Sequence, residues 1–384
     1  MIRNVRDMDF EGKKVFLRVD FNVPIKDGKI QDDTRIKEAL PTINYIKERG
    51  GKVILASHLG RPKGEKKPEF SLKPVADYLG IPFIDDCIGE KVIEFTNKME
   101  KGEVALLENL RFYKGEEKND ESFVKELSKF TEIYVNDAFG TCHRKHASVY
   151  GLAQLIKDKC AGFLIEKEIT YFEKLLKSPD KPFTAIIGGA KVSDKIGVLK
   201  SLLNLVDNIL IGGAMAYTFL KSKGVSIGSS LVEDDYLKTA IEILESAKEK
   251  KVNIYLPVDH IVSTDLDGVA EYVEDINIPD GKMGLDIGKK TVKQYEEVLI
   301  DSKTVLWNGP MGVFEKPQFA EGTFSIAKIL SEIDATTVVG GGDSVSAVKK
   351  AGCADKIDHI STGGGASLEY IEFGTLPGIE ALNS

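Results

Sequence analysis

TAIIGG (184–189) and NILIGG (208–213) decide the fold. Each is a short apolar run without polar alternation, and each ends in two glycines. A strand with one wet face alternates; an unbroken apolar run of this length suits a strand buried on both faces, inside a parallel sheet covered by helices. Working outward, similar runs recur at Lys14–Val19, Val53–Ala56, Val104–Leu107, Ile133–Val135, Val252–Leu256, Thr304–Trp307 and Thr336–Val339. Between them lie amphipathic stretches that predict helices: 34–48, 121–130, 192–205, 233–250, 291–299 and 319–333. Such alternation predicts an α/β protein built on parallel sheets.

At 384 residues the chain exceeds what one core ordinarily organises, so two domains are expected. Ala161–Leu176 reads as one long helix without a breaker, followed by Ser178-Pro179-Asp180-Lys181-Pro182, and it suits a connector between them. The N-terminus carries charges where a secretory segment needs an apolar stretch, and no run is long enough to cross a bilayer. Four scattered cysteines without a CxxC pair favour reduced thiols in a cytoplasmic protein. A net charge of −8 argues against a general nucleic-acid binder.

Ligands of parallel sheets sit at the carboxyl ends of the strands. Here those ends carry DFNVP (20–24), SHLGRP (57–62), ENLRF (108–112), NDAFG (136–140), GGAK (188–191), GGAM (212–215), NGPMG (308–312), GGGDS (340–344) and STGGGAS (361–367). The first half gathers Arg18, Arg35, His58, Arg61, Lys63, Arg111, His143, Arg144 and His146, a bed for a strongly anionic small molecule. Arginine suits this because its planar fork matches carboxylate and phosphate oxygens. Asp20 and Asn22 add partners for a hydroxyl. Cys142, His143 and His146 have a metal-like spacing, but zinc would need a further ligand that the pattern lacks. GRPKGEKKPEF (60–70) is short, partly acidic and without aromatic interleaving, and reads as a solvated loop rather than a nucleic-acid contact.

The second half contains neither GxxxxGK[ST] nor GxGxxG, so the familiar nucleotide loops are missing. GGAKVSDK (188–195) instead predicts bare backbone before a helix, with Lys191 and Lys195 one turn apart on its first face. NGPMGVFE (308–315) follows a strand holding the only tryptophan, and Glu315 there suits ribose hydroxyls. Asp343 in GGGDS reads equally as a holder of a magnesium–phosphate complex or as a helix N-cap. MGLDIG (283–288) is either a close backbone approach to a flat base or a turn.

Taken in order, RVDFNVP (18–24), SHLGRPKG (57–64), LLENLRFYKGEE (106–117), NDAFGTCHRKHAS (136–148), GGAKVSDKI (188–196), GGAMAYTFLK (212–221), WNGPMGVFE (307–315), VVGGGDS (338–344) and STGGGASLE (361–369) closely resemble the phosphoglycerate kinase family along the whole chain. The resemblance implies two doubly wound parallel-sheet domains joined by a central helix, 161–176, and a hinge that closes a cleft. Residues 1–165 with the tail 376–384 would bind 3-phosphoglycerate or 1,3-bisphosphoglycerate; residues 166–375 would bind ATP or ADP with Mg²⁺. Carried over by motif, Asp20, Phe21, Asn22, Arg35, His58, Leu59, Gly60, Arg61, Arg111 and Arg144 would contact the phosphoglycerate. Gly189, Ala190, Lys191, Lys195, Gly213, Gly284, Asn308, Pro310, Glu315, Gly341, Gly342, Asp343 and Ser344 would contact the nucleotide, with Asp343 at the magnesium. Arg35, Lys191, Gly342 and Gly365 would act on the phosphoryl group in flight.

Ser344 stands where many members have threonine, and Cys142 and Lys145 replace commoner alanines. The implied protein is a cytoplasmic monomer without nucleic-acid or membrane partners. Its nucleophile would be the substrate's own carboxylate, already ionised at neutral pH, so no general base is required. A different carboxylate kinase and a non-catalytic nucleotide-binding module are the rival readings; neither needs so many cations in the first half.

Overall fold

The computed structural model describes residues 2–383, so positions 1 and 384 of the expected domain limits lie outside it. The chain forms two compact units. One runs up to Thr170 and resumes at Thr375; the other is Tyr171–Gly374.

In the first unit β1 (Lys14–Arg18), β2 (Lys52–Ala56), β3 (Phe83–Ile84), β4 (Val104–Leu107), β5 (Ile133–Asn136) and β6 (Lys159–Ala161) form one sheet in the order β3-β4-β2-β1-β5-β6. Its pairings are all parallel, with Leu17 of β1 opposite Leu55 and Val135. Val15 and Leu17 share a core with Ile36, Ala39, Ile43 and Ile46 of the helix Thr34–Glu48, whose three- and four-residue spacing lines one face. Phe16 points the other way and stacks on Tyr134 at 6.1 Å between ring centroids. Both faces of β1 are therefore filled, which is why its sequence shows no alternation.

The second unit repeats the plan. β7 (Phe183–Ile187), β8 (Asn208–Ile211), β9 (Asn253–Tyr255), β10 (Thr304–Asn308), β11 (Thr336–Gly340) and β12 (His359–Ile360) take the parallel order β9-β8-β7-β10-β11-β12. Strand order reverses between β7 and β10 here, and between β1 and β5 in the first unit. Outside such switch points lie the ligand crevices of doubly wound sheets. Among the described residues no helix is long and apolar enough to cross a membrane.

Several local expectations need correction. MGLDIG is not a turn: Met283–Ile287 is an edge of a three-stranded antiparallel sheet whose centre is His260–Ser263 and whose other edge is Glu271–Val273. The helix expected over 192–205 is Ile196–Leu202, so Lys191 and Lys195 precede it and share no helical face. The cause is Glu233, which accepts from Ser193 N and Oγ at 3.0 and 2.6 Å and holds that segment as a turn. Asp343 is not an N-cap either; Gly341 occupies that place with φ 89°, and Asp343 lies in the first turn of Gly342–Lys350.

The connecting helix runs Phe163–Lys177, later than the sequence suggests. Gly162 N is still donating to Asn136 O beside the sheet, and Asp137 Oδ1 receives Leu164 N and Ile165 N at 2.9 and 3.2 Å. At the other end of the chain, the helix Pro377–Asn383 packs on the first unit, with Gly378 N donating to Cys142 O at 2.8 Å.

Candidate active site

The carboxyl ends of β1, β2 and β4 build a cationic face in the first unit. Ser57 Oγ accepts from Phe21 N at 2.8 Å and so fixes the loop after β1 against the end of β2. Asn109 ties the next pair of loops, accepting from Leu59 N and Arg111 N and donating to Leu59 O. Phe21 and Leu59 are themselves buried, so they contribute backbone position and packing rather than an open side chain. On this frame Arg35 donates to Asp20 Oδ2 at 2.9 Å and to Asn22 O at 3.3 Å. Asn22 Oδ1 accepts from Gly60 N at 2.9 Å, and Arg111 Nη1 donates to Gly60 O at 2.8 Å. One network thus joins Asp20, Asn22, Arg35, Gly60 and Arg111.

Arg144 donates to His143 Nε2 at 3.1 Å. Arg61 is exposed and enters no hydrogen bond or ion pair among the described residues. The structure adds Arg18, 0 % exposed, which donates to Ser148 Oγ at 2.8 Å, to Val19 O, and lies 3.2 Å from His58 Nδ1. Its place in the basic set was legible, but its burial was not.

Crowding of cations dominates the electrostatics. Burial first, then Arg18, Arg111, Arg35 and His146, push the His58 imidazole well below its usual range. Burial and Arg144 bring His143 down to about 4; burial, Arg111, Arg18 and Arg144 bring His146 down to about 3. Arg111, lowered to about 10 by burial and then by Arg18, stays charged at neutral pH. The histidines are therefore neutral among charged arginines. Arg111 Nε, His143 Nδ1 and His146 Nδ1 are buried with no hydrogen-bond partner among the described residues. Buried polar atoms are ordinarily satisfied, so this cluster fits an anionic ligand with many acceptor oxygens.

A separate hollow of about 920 Å³ in the same unit runs between Lys29 and Lys73 and holds none of the expected substrate residues. Three of its four lysines have partners: Lys66 donates to Asp85 O, Lys67 pairs with Glu65, and Lys73 with Asp77.

In the second unit the ends of β7, β8 and β10 approach as bare backbone. Gly188 N donates to Asn308 O, Gly189 N to Pro310 O, and Gly213 N to Met311 O, at 2.9 to 3.1 Å. A methyl group on Gly309, φ 97°, would lie 2.2 Å from Gly188 O. Only glycine permits that approach. Beside it opens a cavity of about 420 Å³ lined by Gly189, Ala190, Gly213, Gly284, Pro310, Glu315 and Asp343 from the expected set. Its apolar walls are Tyr217, Leu231, Leu266, Leu285 and Val313, which sequence reasoning missed. Leu231 and Leu266, 56 % and 48 % exposed, are lone leucines in polar stretches, the one signal that pointed to them.

Four further expected residues, outside the cavity lining, form a linked group. Lys195 Nζ donates to Asn308 Oδ1 at 2.5 Å, Ser344 Oγ accepts from Gly309 N at 2.6 Å, and a methyl group on Gly341 would lie 2.9 Å from Asn308 Nδ2. Burial lowers the Lys195 ammonium's pKa, while Asp194 and Asp343 oppose that shift. Lys191 and Gly342 are exposed and stand outside this group. Gly365 opens the helix Gly365–Phe373 after Gly364, whose φ 52°, ψ −117° is a glycine conformation.

A sequence model for phosphoglycerate kinase matches residues 5–373 of this chain. The chain belongs to the phosphoglycerate kinase family. Among curated relatives, the phosphoglycerate kinase of Borrelia hermsii is 52 % identical over 389 residues, covering 99 % of each chain. That of an Anaeromyxobacter species is 53 % identical over 392 residues, again covering 99 % of each. Among solved structures, phosphoglycerate kinase from Coxiella burnetii superposes with a TM-score of 0.90 at 40 % identity, covering 100 % of this chain and 99 % of that one. The enzyme from Pyrococcus horikoshii gives 0.87 at 36 % identity, with 100 % and 98 % covered. The phosphoglycerate kinase family consists of phosphotransferases, and a phosphotransferase of glycolysis is what this chain is.

Proposed function

We propose that this chain carries the reaction 1,3-bisphosphoglycerate + ADP ⇌ 3-phosphoglycerate + ATP, with each substrate held by its own unit. The observation that carries the reading is the buried cationic cluster around Arg111. There Arg111 Nε, His143 Nδ1 and His146 Nδ1 make no hydrogen bond among the described residues, and Glu117, 3.7 Å from Arg111 Nε, is the acidic group paired with it. Arg111, Arg144 and His58 bind the phosphoglycerate, while Asp20 and Asn22 hold its hydroxyl and orient Arg35. Phe21, Leu59 and Gly60 set the backbone around them, and Arg61 reaches the ligand from its exposed position. The apolar walls of the second cavity take the base, Glu315 the ribose, and the glycine backbone with Lys195 the phosphates.

In the ATP-consuming direction the attacking group is the substrate carboxylate, so the protein's task is to place two anions and spread the charge of the moving phosphoryl group. Arg35, Lys191 and the N–H groups of Gly342 and Gly365 supply that charge. Among the described residues no cluster of three or more His, Cys, Asp or Glu is arranged to hold a metal. Mg²⁺ typically takes one or two carboxylates and fills its shell with phosphates and water, so the lone exposed Asp343 at the cavity fits a magnesium ion delivered on the nucleotide. When bound, the ion would neutralise phosphate charge. We place this activity in the cytoplasm, in a monomer whose ligands are small molecules rather than nucleic acid or membrane.

A coupled assay with MgATP and 3-phosphoglycerate, and with acetate as the alternative acceptor, tests the reading. Turnover with 3-phosphoglycerate alone is the expected result. Turnover with acetate would indicate another carboxylate kinase, and ATP binding without turnover a non-catalytic module.

A further inference from the structure

Behind the cationic face lies a buried chain of polar groups, none of them among the residues assigned to a ligand. Glu116 and Arg18 are both 0 % exposed, and Ser148 stands between them. Ser148 N donates to Glu116 Oε2 at 3.0 Å, Ser148 Oγ donates to Glu116 Oε1 at 2.5 Å, and Arg18 Nε donates to the same Oγ at 2.8 Å. A guanidinium has donors only, so the serine oxygen accepts from Arg18, and its own proton is directed to Glu116 Oε1. Both Glu116 oxygens then accept, which is the behaviour of a carboxylate. Burial raises the Glu116 pKa, while Arg18 and the two Ser148 bonds oppose that.

The same logic continues past Arg18. Its Nη1 is committed to Val19 O, and its Nη2 faces His58 Nδ1 at 3.2 Å. Since the guanidinium has no acceptor, Nδ1 must be the bare nitrogen of a neutral imidazole, and the proton must sit on Nε2. The charged groups around this ring are Arg18, Arg111 and Arg35, with His146 also near, and none of them accepts a proton from it at neutral pH.

We propose that Glu116 is a positioning residue for the anion site: through Ser148 it holds Arg18, and Arg18 locks His58 as the neutral Nε2–H tautomer, a single-direction donor toward the ligand. Without the lock a neutral imidazole in this place would divide between two tautomers, one of which turns an acceptor lone pair on Nε2 toward an anion. Glu116 compensates the charge of Arg18 at a distance, so the guanidinium remains a fixed buried donor rather than swinging out to the ligand itself. The role in substrate binding rests on the reading of this face as the 3-phosphoglycerate site; the tautomer does not.

The first experiment uses the full chain with ¹⁵N-labelled histidine and long-range ¹H–¹⁵N correlation at pH 7.5 without ligand, the His58 signals being identified by their loss in His58→Gln. The expected result is a protonated Nε2 and a bare Nδ1; a protonated Nδ1, or an even mixture, overturns the proposal. The second compares Glu116→Gln and Ser148→Ala with the unaltered chain. A mixed His58 tautomer, with KM for 3-phosphoglycerate raised about tenfold, KM for ATP unchanged and kcat within about twofold, is expected from weakening one charge-assisted contact. Folded variants with an unchanged tautomer refute the relay. A shifted tautomer with unchanged KM for 3-phosphoglycerate keeps the lock but removes its role at the site, and sets the site assignment itself in question. Should both variants fail to fold, the tautomer of the unaltered chain still decides.

Discussion

The Lys195 ammonium donates to Asn308 Oδ1 across the crevice where strand order reverses in the second unit. Lys195 follows β7 and Asn308 ends β10, so the bond joins the two strand ends from which bare glycine backbone lines the cavity. Lys195→Met keeps the length of the side chain and removes the charge. Its KM for ATP should rise about tenfold, with KM for 3-phosphoglycerate unchanged, as expected for the loss of one charge-assisted hydrogen bond. Steady-state kinetics with each substrate varied in turn measure both.

Lys191 is exposed on the turn before the helix Ile196–Leu202, and Arg35 is held by Asp20. Both are assigned to the phosphoryl group in transfer. Lys191→Ala and Arg35→Ala should each lower kcat by about 10²–10³, the scale for removing one transition-state donor. A variant that keeps its kcat takes that residue out of the transfer step.

The neutral histidines of the cationic face predict a pH dependence of stability. His143 and His146 have folded values of about 4 and about 3 against an ordinary 6.5, so between these values the unfolded chain binds the extra protons. Their contribution is complete above pH 6.5 and declines as pH falls toward 4 and then 3. Urea midpoints should therefore decrease from pH 7 to pH 5, and His146→Gln should make that decrease shallower. An unchanged slope in the variant would show that His146 is not depressed.

How much of this was readable in advance depends on whether a feature is carried by neighbours in sequence. β1, β7 and β10 were legible because each fills both faces and so appears as an apolar run. The antiparallel sheet was not, since Glu271–Val273 is short and polar and its partners differ in pattern. Lys191 and Lys195 were misplaced on a helix because the clamp on Ser193 comes from Glu233, forty residues away. The structure links many of the motif residues to one another, but the cavity walls at Tyr217, Leu231 and Leu266 come from three separated segments. Nothing local marks Glu116 and Ser148 as a pair either; only folding brings a helix residue after β4 against the segment after β5.

Gly284 makes the cavity wall testable. An added methyl group would lie 2.0 Å from Tyr217 Oη and 2.2 Å from its Cζ, and that ring is only 4 % exposed. Gly284→Ala should raise KM for ATP because either the ring or the strand Met283–Ile287 must shift into the cavity. Tyr217→Phe added to Gly284→Ala should restore part of the affinity by removing the nearest atom. No rescue would mean that the strand, not the ring, gives way.

Gly364 and Gly365 separate conformation from chemistry. Gly364→Ala forces a side chain into φ 52°, ψ −117° and should cost about 1–3 kcal/mol of stability in denaturant unfolding. Gly365→Ala stands at the first position of the helix and should fold, yet lower turnover more than ATP affinity. The opposite ranking of turnover and affinity would remove Gly365 from the transfer step.

The return of residues 375–383 to the first unit has a consequence for biosynthesis. On the ribosome the first unit is made early but lacks the segment that places Gly378 against Cys142 and buries Ile379 and Leu382. That segment emerges only after the whole second unit. A nascent or prematurely ended chain can thus present a finished second unit and an unfinished first one, with apolar surface still open. Completion of the first unit therefore follows translation of the whole second unit.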